Sequence, residues 1–130
     1  MSFSYWDRVE KKDFLMFFKE ENGWGLFNSR LIYESGGDIY YASPSQRINI
    51  TDKWDTLKTL FTSYCNDWKT HNLEVNGCDM REYLIIFNFD DFKVEEYEGG
   101  VYPSSIQKFY KRLVKLDRGL SPKLTTRITI

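Results

Sequence analysis

The run Tyr83-Leu84-Ile85-Ile86-Phe87-Asn88-Phe89 constrains this chain more than any other segment, because it is apolar on both of its alternating sides. Successive side chains of an extended strand point to opposite faces of a sheet. A strand that is apolar on both faces belongs in the centre of a sheet, with cover above and below. Asp90-Asp91 follows and permits a tight reversal, since aspartate tolerates left-handed backbone better than most residues. Phe92 to Glu98 then alternates and turns acidic, as the outer partner of such a hairpin would, and Glu98-Gly99-Gly100 ends it.

A second hairpin is expected where Trp24 to Glu34 and Ile39 to Ser43 flank Ser35-Gly36-Gly37-Asp38, a turn whose glycines readily take positive φ. At the C-terminus Leu124, Thr126, Ile128 and Ile130 alternate with Thr125, Arg127 and Thr129, the period of a half-buried strand. Two long helices interrupt the strands. In 52–71, capped by Thr51 or Asp52, the residues Trp54, Leu57, Phe61, Tyr64 and Trp68 recur at spacings of three and four, with Cys65 beside them. In 104–118, Ser104 and Gln107 form a capping box, and Ile106, Phe109, Tyr110, Leu113 and Val114 cover one arc. Asp13 to Glu21, with Phe14, Leu15, Phe17 and Phe18 before Asn22-Gly23, fits a short helix or a buried strand, and the helix is preferred. Helices among hairpins without βαβ alternation define an α+β class with an antiparallel-rich sheet. No linker, repeat or low-complexity tract divides the 130 residues, so one domain, 1–130, is expected.

Composition excludes several classes. Net charge is −1, so no global field argues for nucleic acid or a membrane surface. The longest unbroken apolar run, Phe14 to Phe18, falls far short of the ~20 residues of a membrane span. The first residues show neither a basic region nor an apolar core of the secretory type, so a cytoplasmic protein is expected. Cys65 and Cys78 stand in no CxxC pattern and read as free thiols, Cys65 buried and Cys78 more exposed. Aromatic residues make up 18%, more than a core of this size needs, which predicts rings at the surface. A homo-oligomer that buries them is one alternative.

No catalytic or cofactor signature emerges, and neither cofactor nor catalytic residue is expected. Gly23-Trp24-Gly25 and the two Gly-Gly pairs lack the strand-to-helix setting of a phosphate cradle. The single histidine, His71, reads as a helix C-terminal dipole partner rather than a base or ligand. Asp90-Asp91 would suit a hard cation only if the turn folded both carboxylates together, and a metal-dependent nuclease would also need Glu82, Glu95 or Glu96 there. The turn reading prevails.

Charge is distributed more tellingly. Asp79, Glu82, Asp90, Asp91, Glu95, Glu96 and Glu98 face only Arg81 and Lys93, a local balance of −5. Lys108, Lys111, Arg112, Lys115, Arg118, Lys123 and Arg127 face only Asp117, a balance of +6. The plain reading is two solvated faces, or two poles that neutralise each other across the fold. The functional reading gives the acidic hairpin, Asp90, Asp91, Glu95, Glu96 and Glu98 with Tyr97 and Tyr102, to a partner protein with a basic surface. Carboxylates would speed encounter while rings anchored the complex. The alternative gives the basic face of the last helix, Lys108, Lys111, Arg112, Lys115 and Arg118, to a nucleic-acid backbone, as a binding protein or small nuclease.

In its acidic, aromatic-rich stretches FNFDDF and EEYEGG, and in its short length, the chain resembles the immunity proteins that bacteria pair with secreted or contact-delivered toxins. That resemblance is one of character over the whole chain, without a diagnostic motif. It implies tight one-to-one inhibition of a cognate toxin, nuclease toxins among them, without turnover.

Overall fold

The computed structural model describes residues 5–21, 27–69, 82–90, 92–99 and 104–120, and the side chains of Phe27, Val94 and Glu95 lie outside that description. The elements run α1 (Tyr5–Glu10), β1 (Met16–Glu21), β2 (Phe27–Ser35), β3 (Asp38–Ala42), β4 (Arg47–Asn49), a 3₁₀ turn (Thr51–Lys53), α2 (Trp54–Lys69), β5 (Glu82–Phe89), β6 (Phe92–Gly99) and α3 (Ser104–Asp117). Six strands form one sheet in the order β4-β3-β2-β1-β5-β6, every neighbouring pair antiparallel. This is the α+β arrangement expected, with the two long helices close to their expected bounds.

The segment expected to be a short helix instead holds β1, four of whose six residues are buried: Met16 and Phe18 face α2 and α3, while Phe17 joins Phe14 on the other side. Both faces of β1 are covered, so its apolar run carries no alternation that could betray a strand. The short N-terminal helix lies upstream, at Tyr5–Glu10. β5 is central as its double-sided apolarity required, paired with β1 on one edge and β6 on the other.

Both hairpin turns take the backbone their residues allow. Gly36 and Gly37 adopt φ of +61° and +87°, and Asp90 adopts +49°. At the start of α2 the expected side-chain cap is not made. A 3₁₀ turn leads into the helix, and Thr51 Oγ1 instead accepts the backbone N–H of Ile39 at 2.9 Å, which ties that turn to β3. The expected C-terminal strand, His71 and Cys78 lie outside the described residues.

The sheet divides the molecule into two unequal layers. On one side α2 and α3 pack over Met16, Phe18, Ile32, Tyr41, Ile85 and Phe87. Phe109 of α3 is the hub of that layer, with the rings of Phe61, Tyr64, Trp68 and Phe87 each within 5.8 Å of its centroid. On the other side α1 covers a smaller cluster of Tyr5, Phe17, Leu31, Tyr33 and Ile86. Rings of this size each remove a large apolar area from water, and tilted or edge-on pairs add to that. Most of the described aromatic rings are therefore spent inside. Among the described residues Trp6, at 50% exposure, is the one large apolar side chain left open, while Phe3, Trp24, Tyr102 and the side chain of Phe27 lie outside the description.

Candidate functional site

Strand register decides where the charges go. Across β1, β5 and β6, Phe17 lies opposite Ile86 and Ile86 opposite Glu96; Lys19 lies opposite Leu84 and Leu84 opposite Glu98; Glu21 lies opposite Glu82. Tyr83, Ile85 and Tyr97 alternate with these residues and face the helices. Glu82, Glu96 and Glu98 thus project from the sheet face that α2 and α3 do not cover, and all three are exposed.

On that face two carboxylates already have partners. Lys12 Nζ lies 2.9 Å from Glu96 and Lys19 Nζ lies 2.9 Å from Glu21. Glu82 and Glu98 make no ion pair among the described residues. Asp90 does not join them. It sits in the turn between β5 and β6 and pairs with Lys58 of α2 at 3.3 Å, toward the helix layer.

Tyr97, expected as an exposed docking ring, points the other way. Its hydroxyl lies 3.0 Å from Cys65 Sγ and 3.3 Å from the Cys65 carbonyl, and its ring packs edge-on against Trp68 at 5.0 Å. The register places it beside Ile85 on the helix side, where the core takes it up. Asp91 and Tyr102 lie outside the described residues, as does the side chain of Glu95.

The basic residues of α3 are placed as the helical period requires. Ile106, Phe109, Leu113 and Leu116 are buried, while Lys108, Lys111, Lys115 and Arg118 are exposed and Arg112 is half-buried. None of these five makes an ion pair among the described residues. α3 packs on the sheet face opposite Glu82, Glu96 and Glu98, so among the described residues these three acids and the basic stripe do not neutralise one another.

Two groupings escaped the sequence. Arg30 of β2, 4% exposed, donates from Nε to Asp117 Oδ1 at 2.6 Å and from Nη1 to the Ser29 carbonyl at 2.6 Å. The Tyr41 hydroxyl donates to the same carboxylate oxygen at 2.6 Å and lies 3.2 Å from the Leu113 carbonyl. Asp117 Oδ2 receives no hydrogen bond among the described residues. Burial pushes the Asp117 carboxyl above its ordinary range, against the lowering pull of Arg30 and Tyr41, and pushes the Tyr41 phenol well up. On the opposite face, Tyr33 and Tyr40 form a cross-strand pair with centroids 5.5 Å apart. Arg8 lies over Tyr33 at 4.3 Å and Arg47 over Tyr40 at 4.4 Å, with Arg47 also donating to the Tyr33 hydroxyl at 2.8 Å. The opposed Tyr33 and Tyr40 of the first hairpin were the available signal for this ladder. Arg30 and Asp117, 87 positions apart, offered none.

Among the described residues no three His, Cys, Asp or Glu side chains converge as a metal site, and no helix is long and apolar enough to cross a membrane. The chain matches no protein-family model, no curated protein and no solved structure.

Proposed function

We propose that the protein is a non-catalytic binding module of the immunity type, which docks the acidic half of its open sheet face onto a basic surface of a cognate toxin. The observation that carries this reading is the outward row Glu82, Glu96 and Glu98 on β5 and β6, turned away from the basic helix of the same molecule. Glu82 and Glu98 are exposed and make no ion pair among the described residues, and such carboxylates raise encounter rates with a positive surface. A flat strand face is also a rigid platform, so complex formation would order little backbone. Trp6 of α1, half-exposed on the same side of the sheet, can supply an apolar contact that charges alone lack.

The test is association with the purified product of the adjacent gene, followed by surface resonance. A one-to-one complex is expected, with the association rate of E82Q/E96Q/E98Q reduced at least ~10-fold at low salt and the gap closing as salt rises. Absence of any complex at micromolar concentration, or a triple variant that binds as fast as the parent, would overturn the reading.

A further inference from the structure

We infer that the outer face of α3 is a second, separate contact surface, shaped for the phosphate backbone of a nucleic acid. It does not rest on the acidic-face reading, since the two surfaces lie on opposite sides of the sheet.

Lys108, Lys111, Arg112, Lys115 and Arg118 fall within about 120° of arc at 100° per residue, and Lys108 to Lys115 spans ~10 Å along the axis. No acidic residue lies in that arc, and none of the five cations is engaged by a carboxylate of the described residues. The one acid of the helix, Asp117, is turned inward onto Arg30 and adds nothing to the surface. Five cations with no carboxylate partner among the described residues repel each other, and an array of phosphates relieves that while releasing counterions.

The chemistry of the stripe separates phosphates from other polyanions. Ile106, Phe109, Leu113 and Leu116, the apolar side of α3, are consumed by the core. The stripe itself carries no apolar side chain. A protein interface needs desolvated apolar anchors at its centre, and an amphipathic helix on a membrane needs an apolar face to insert. Phosphate-backbone binding needs neither, because charge and hydrogen bonds from Lys and Arg suffice.

The experiment is fluorescence anisotropy of labelled single-stranded and duplex DNA of about 20 nucleotides, titrated with the full chain from ~50 to ~200 mM salt. Binding is expected to weaken with a log–log salt slope of about 4 to 5 on duplex and about 3 to 4 on single strands, the values for five phosphate contacts. K108Q/K111Q/K115Q should lower the duplex slope to about 2 and weaken binding at least ~10-fold at the lowest salt, while E82Q/E96Q/E98Q leaves the slope unchanged. The substitutions are exposed, and an unchanged circular dichroism melt verifies the fold of each variant. No binding to either DNA, or binding that ignores the lysine substitutions, overturns the inference. So does equal retention of the parent on anionic phosphatidylserine vesicles, or salt-sensitive self-association by sedimentation without DNA binding, which would assign the stripe to a membrane or to a second copy.

Discussion

The acidic sheet face and the basic helix face carry charge of opposite sign, but they differ more in how each charge is held. On the sheet, directly opposed residues stand about 5 Å apart and same-face neighbours along a strand about 7 Å, so a long lysine in a strand or an adjoining loop reaches a carboxylate easily. Lys12 and Lys19 do so, and half of the outward acids on β1, β5 and β6 are thereby paired. On α3 the neighbours at three and four positions are other bases, so nothing local can quench them. A strand face moderates its charge through neighbours, whereas a helix face exports whatever its sequence puts there. The one charge on α3 that is quenched, Asp117, is quenched by burial against a different element altogether.

The largest effect that can test this contrast lies inside α3. D117A leaves the Arg30 guanidinium buried without its partner, and is expected to cost about 3 to 5 kcal/mol of stability. K111Q, barely one turn and a half away but on the outer face, should stay within about 0.5 kcal/mol. Urea unfolding of the two variants measures the gap. An apolar double replacement, R30M/D117L, should recover most of the loss, because removing both charges also removes the desolvation penalty. If D117A unfolds like the parent, Arg30 and Asp117 are not a closed internal pair and the contrast between inner and outer charge fails.

A smaller effect of the same pair is its pH dependence. The folded chain holds the Asp117 proton to higher pH than the unfolded chain, whose value is the ordinary 3.8. Between those two values the folded state binds more protons, so stability due to this group falls as pH rises, by at most about 1.4 kcal/mol per pH unit. Below 3.8 its contribution is constant, and above the raised value it is fully lost. Urea midpoints of the parent minus those of D117N should therefore decline with pH across that window. A difference that rises with pH would mean that Arg30, and not burial, dominates the carboxyl.

These internal charges mark the limit of what the chain discloses before folding. Both long helices, both hairpins and the central position of β5 follow from local period and turn chemistry, and so does the outer face of α3, where burial at Ile106, Phe109 and Leu113 leaves the lysines outside. β1 did not follow, because a strand covered on both faces has the same apolar run as a buried helix. Arg30 reads as a polar position of a strand and Asp117 as a stray acid in a basic run, and only the crossing of α3 over β2 joins them. Tyr97 was misread for a related reason. An aromatic among glutamates suggests an exposed anchor, yet register with Ile85 turns it to the core and leaves Glu96 and Glu98 outside.

The smallest effect separates quenching from stability on the sheet face. Lys12 and Glu96 are both substantially exposed, and an exposed pair of this kind contributes roughly 0 to 1 kcal/mol. K12A should therefore change the unfolding midpoint little, by less than about 0.5 kcal/mol. Its electrostatic consequence has the opposite character: loss of the lysine unmasks Glu96 and makes the face beside Glu98 more negative. If the sheet face steers a basic partner, K12A should bind it faster than the parent at low salt, by a few-fold, with the advantage vanishing near physiological ionic strength as screening shortens to ~8 Å. A variant that binds more slowly would mean that Lys12 itself touches the partner, and the acidic patch would then have to be redrawn around Glu82 and Glu98 alone.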